Sequence, residues 1–121
     1  MPRPDQETRV THVDPREIHQ RIVDHGEAWA DADAAANLLE ETKKTLLAQI
    51  MMESIGGSSA AAAEKKATAD QRYIDHINLM VEARRVANRA QVKYKTSLVW
   101  VELIRTREST RRAEMNFSGV S

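Results

Sequence analysis

The sequence predicts an all-α fold: an antiparallel helical hairpin of two long helices, coiled-coil-like and oligomeric. Three observations predict it. The prolines, Pro2, Pro4 and Pro15, all fall before or at the start of the first long stretch. Beyond Gly26 the glycines are Gly56, Gly57 and Gly119, so Gly56-Gly57-Ser58-Ser59 stands as one break between two long uninterrupted stretches. Apolar and small residues in the first stretch recur at alternating spacings of four and three, the mark of a heptad seam.

A chain of 121 residues is at most one domain. Aromatics are 4% and charged residues 30%, thin material for a globular core but suited to helices joined along a seam. A two-helix hairpin buries little surface, so self-association is the expected remedy. There is no cysteine, which excludes disulfides and thiolate metal sites. No apolar run approaches the roughly 20 residues of a membrane span, and no basic start precedes an apolar h-region. The sequence reading is therefore cytoplasmic, with no membrane association.

In order along the chain, residues 1–13 are polar, without periodicity, and read as a flexible N-terminal arm. The hairpin is expected over 14–116. Asp14 suits an N-cap and Pro15 suits N1, where its missing N–H is not needed. The predicted helix over 15–54 carries its seam at Ile18, Ile22, His25, Trp29, Ala32, Ala36, Leu39, Lys43, Leu46 and Ile50. Gly26 weakens it by about 1 kcal/mol against alanine, unless a close approach beside Trp29 uses the missing side chain. The turn is placed at 55–58, with Gly56 or Gly57 in a left-handed cap and Ser58 or Ser59 capping the next helix. That helix is expected over 59–115, with Tyr73, Ile77, Met80, Ala83, Ala87, Ala90, Tyr94, Leu98 and Val101 on one face. Residues 117–121 read as a tail.

A turn at 55–58 sets a register. Leu39 would face Ile74, Leu46 Ala67, and Ala36 Ile77, with Trp29 near Arg84 and Pro15 opposite Leu98. Residues beyond Leu98 would overhang by about 17 residues, or about 25 Å. The overhang holds Val99, Trp100, Val101, Leu103 and Ile104, a cluster that calls for cover. Leu98, Val99, Val101, Leu103 and Ile104 are thus the predicted oligomer interface, since the arm offers only Val10 and Val13.

Catalysis finds no footing. There is no Gly-rich phosphate loop, no cysteine, and no serine in a nucleophile elbow. His12, His19, His25 and His76 form no metal-ligand spacing, and Asp31, Asp33, Glu40 and Glu41 read as a solvated helix face. The sequence predicts no enzyme, no cofactor and no metal.

Charge is the feature with chemical character. The formal net charge is zero, yet residues 14–54 carry nine acids against four bases and residues 60–115 seven against twelve. One helix neutralising the other is the plain explanation. The nine bases between 83 and 112 are clustered, however, with only Glu102 and Glu108 opposing them. On an ideal helix Arg85, Arg89, Lys93, Trp100, Arg107 and Arg111 fall on one side, away from the Tyr73–Val101 face. Like charges four apart repel, and an anion relieves that. A nucleic-acid backbone is the natural candidate, with Trp100 and Tyr94 available to stack on an unpaired base. The rival is a coiled-coil scaffold or adaptor that binds only protein.

Tyr73-Ile74-Asp75-His76, Glu82-Ala83-Arg84-Arg85-Val86-Ala87 and Lys93-Tyr94 together resemble the recombination-mediator family of T4-type phages. The resemblance covers about 25 residues. It implies a small helical phage or prophage protein that binds single-stranded DNA as a homo-oligomer and acts in recombination or replication. The turn reads Ile55-Gly56-Gly57 and the tryptophans stand at 29 and 100, so the small secreted hairpins with Trp-x-Gly at the turn are not matched.

Overall fold

The described residues form three helices: α1 (Pro15–Glu53), α2 (Ala60–Ala69) and α3 (Gln71–Gly119). The computed structural model describes residues 14–54 and 56–119, of which 93% are helical with no strand among them. The predicted arm at 1–13, Ile55 of the predicted turn and residues 120–121 lie outside the described residues.

Local chemistry sets the helix ends. The Asp14 carboxylate accepts from Arg16 N at 3.0 Å, an N-cap that satisfies one free donor, and its carbonyl accepts the first helical bond, from Ile18 N at 3.2 Å. At the other end Ser54 N closes on Met51 O at 3.0 Å, and Gly56 takes a left-handed φ of 114°. Ser59 caps α2, its hydroxyl accepting from Ala62 N at 3.3 Å.

The sequence predicts one helix over 59–115; the structure has two, meeting at Asp70. Asp70 is extended (φ −67°, ψ 136°), ending α2 by donating its N–H to Ala67 O. It starts α3 in the same stroke, its carboxylate accepting from Arg72 N at 2.9 Å. Asp70-Gln71-Arg72 thus repeats the capping chemistry of Asp14-Pro15-Arg16. Arg72 locks the joint by donating to Asp70 and, bidentately, to Glu53 at 2.8 and 2.7 Å. α3 also runs past 115 to Gly119, into the predicted tail.

The chain divides into two compact units. The first joins α1 up to Glu27 with α3 from Gln91; the second is Ala28–Ala90. In the second, Glu53 meets Arg72, Leu39 meets His76, and Asp33 meets Arg84, so the chain runs antiparallel there. His76 Nε2 lies 2.7 Å from Leu39 O; a carbonyl only accepts, so this nitrogen carries the proton. The buried side chains among the described residues are Ala36, Ile50, Ala63, Ala67 and Ala87, all in this unit. Four of the five are alanine, so contact there comes from close helix approach rather than from large side chains.

In the first unit His25 pairs with Ser97, and a Cβ on Gly26 would stand 3.2 Å from Tyr94 Cε2. Gly26 therefore does serve a close approach, to Tyr94 rather than beside Trp29. This unit holds no fully buried side chain among the described residues.

All ten predicted seam positions of α1 are buried or half-buried. The predicted register needs correction. Leu39 meets His76 instead of Ile74, and Ile74 is exposed. His25 reaches Ser97, about nine residues beyond the position that the predicted register would give it. The offset is two residues at Leu39–His76 and about nine at His25–Ser97, so no single register holds along the chain. The overhang shrinks accordingly, because Trp100 is half-buried and lines a groove with Ile18 and Ile22.

The Asp70 joint carries a pH signature. Hydrogen bonds from Arg72 hold both Glu53 and Asp70 below the usual carboxylate range. A lowered folded-state pKa means the unfolded chain binds more protons in acid. Stability from this cluster is then complete above about pH 5 and is lost as pH falls through the lowered values. Arg72→Met should flatten the dependence of melting temperature on pH between about pH 5 and 2. Parallel curves for the two proteins would show that the cluster adds nothing.

Candidate nucleic-acid interface

Not every base on α3 is free to bind. Arg84 donates from Nε to Glu40 at 3.0 Å, from one terminal nitrogen to Asp33 at 2.7 Å, and from the other to Asn37 at 2.7 Å. Its three partners stand on α1 at spacings of four and three, one helical face. The bonds to Glu40, then to Asp33, raise its pKa above the ordinary value. Asp33 and Glu40 are therefore bound to Arg84, correcting the reading of these acids as a merely solvated face. Here, and at Arg72, acids and bases within the chain do neutralise one another.

The predicted stripe behaves differently. In the second unit Arg85 and Arg89 are exposed. Arg85 has Glu82 at 3.8 Å on its own helix, a solvated pair of little strength, and Arg89 makes no ion pair among the described residues. In the first unit Lys93, Arg107 and Arg111 are exposed and likewise make none there. Arg105 and Arg112 have Glu102 at 3.4 Å and Glu108 at 3.8 Å, again on their own helix. Acids of α1 hold Arg84 but none of the stripe cations.

Trp100 sits apart from the exposed cations in degree of burial. It lines an open groove of about 320 Å³ in the first unit. The groove is bounded by Ile18, Arg21, Ile22 and His25 of α1 and by Val92, Lys93, Thr96, Ser97 and Trp100 of α3. Ser97 Oγ donates to Lys93 O at 2.9 Å, so its one proton is committed. The 2.6 Å contact between His25 Nδ1 and Ser97 Oγ is then donated by His25, which leaves Nε2 as the ring's acceptor. Of the predicted site residues the groove gathers Lys93 and Trp100 and adds Arg21, a residue that sequence reasoning passed over.

The predicted oligomer residues divide. Val99 and Leu103 are 59% and 62% exposed, and Leu98 is 39% exposed, while Val101 and Ile104 are half-buried. Val92, at 62%, stands seven before Val99 and eleven before Leu103, so the three share one flank of α3. Its heptad spacing from Val99 was the signal that could have found it.

No group of three or more His, Cys, Asp or Glu that could hold a metal ion occurs among the described residues. Among the described residues no helix is long and apolar enough to cross a membrane. No protein-family model, no curated protein and no solved structure matches the chain.

Proposed function

We propose that this chain is a non-catalytic single-stranded DNA-binding protein of the cytoplasm, acting in recombination or replication. One observation carries the reading: Arg89, Lys93, Arg107 and Arg111 are exposed cations on α3 without an ion pair among the described residues, although the chain has as many acids as bases. Acids of α1 account for Arg84 and Arg72, and Glu82, Glu102 and Glu108 of α3 pair loosely with Arg85, Arg105 and Arg112, which leaves these four. Phosphates are the partner that such cations suit. The recombination setting and the phage or prophage origin rest on the resemblance of residues 73–94 alone.

The helices are read as coiled-coil-like and the chain as self-associating. The exposed flank Val92, Val99 and Leu103 supports a second copy there, and it equally favours the rival reading of a protein-only adaptor. Fluorescence anisotropy of a labelled oligothymidylate at rising salt separates the two. Affinity should fall steeply with salt as counterions are released. Absence of binding at low salt would leave the adaptor reading in first place. Sedimentation of the same samples should show a dimer or larger at micromolar concentration.

A further inference from the structure

We propose that the groove of the first unit holds an unpaired base of single-stranded DNA against Trp100, with Arg21 and Lys93 contacting the adjoining phosphates. The inference rests on the proposed DNA binding and names the subsite within it. The groove has about 320 Å³, room for a nucleobase with part of its sugar, and its walls Ile18, Ile22 and Trp100 suit the faces of a flat ring. The charged residues lining it, Arg21 on α1 and Lys93 on α3, are both cations, and no carboxylate lines it. Neither makes an ion pair among the described residues. An apolar trough with two uncompensated cations fits an occupant that is part aromatic and part anionic, which describes a nucleotide better than an amphipathic protein helix. His25 adds polarity of a matching kind: with Nδ1 donating to Ser97, Nε2 is an acceptor for a base N–H. A base paired in a duplex offers no free face, so the subsite selects single strands.

Trp29 and Trp100 are the two tryptophans, so Trp29→Phe makes emission a report on Trp100 alone. Titration with oligothymidylate at low salt should quench that emission in step with the anisotropy isotherm, and a duplex of equal length should not. Arg21→Ala should weaken binding about tenfold while helix content stays unchanged. In the chain with both tryptophans, Trp100→Phe should abolish the quench, which gives the answer independently of the Trp29 variant. Binding by anisotropy with unchanged Trp100 emission would overturn the groove assignment and leave the proposed function standing. No binding at all would overturn both. A blue shift that depends on protein concentration, without DNA, would show that a second copy fills the groove, and would also overturn the assignment.

Discussion

Ala36→Leu lowers stability by about 1–3 kcal/mol, the usual cost of forcing extra methylenes into a filled site. Ala36 is 0% exposed, so the added carbons have nowhere to go without parting the helices of Ala28–Ala90. Ala35→Leu is the matched control. It lies one position away on the same helix, is exposed, and changes the same residue type, so its effect should stay within about 0.5 kcal/mol. Leucine and alanine differ little in helix propensity, so propensity cannot produce the contrast. Urea unfolding followed by circular dichroism reads both. Equal midpoints for the two variants would mean that the alanine contact is loose and the close approach unimportant.

The second large effect concerns binding. Changing Arg85, Arg89 and Lys93 together to glutamate removes three cations and introduces three repulsions toward phosphate. Affinity for single-stranded DNA should fall more than about a hundredfold, and the salt slope should drop by about 2, at roughly 0.7 per contact for single strands. The fold should survive, because all three side chains are exposed and arginine, lysine and glutamate are comparable helix formers. Arg84 is left in place because Asp33, Asn37 and Glu40 depend on it. A triple variant that binds like the parent would reduce the stripe to a solvated face.

Much of the fold was legible in the residues. Asp14-Pro15, Gly56 and Ser59 are strong punctuation, and α1's seam follows from periodicity alone. Asp70 was not legible, because it interrupts a helix with neither glycine nor proline beside it. Its effect comes from its own side chain and from Arg72, whose other partner, Glu53, lies nineteen positions back. A single register also misplaced the opposition of Leu39 by two residues and of His25 by about nine. The site was half legible. Clustering of the bases is visible in composition, but sequence does not reveal which cation an acid will capture. Arg84 and Arg85 are neighbours in the chain with opposite fates, since a rotation of about 100° sends one toward α1 and the other to solvent.

The uneven distribution of buried alanines has a consequence for motion. Every fully buried side chain among the described residues belongs to Ala28–Ala90, and the groove belongs to the other unit. Backbone amides opposite one another near His25 and Ser97 are then guarded mainly by half-buried contacts, and should open to solvent at lower free energy than those around Ala36 and Ala87. Hydrogen exchange would show this as a gradient of protection along α1 and α3. A ligand seated in the groove binds only the closed form, so its binding energy would appear as slowed exchange confined to that end.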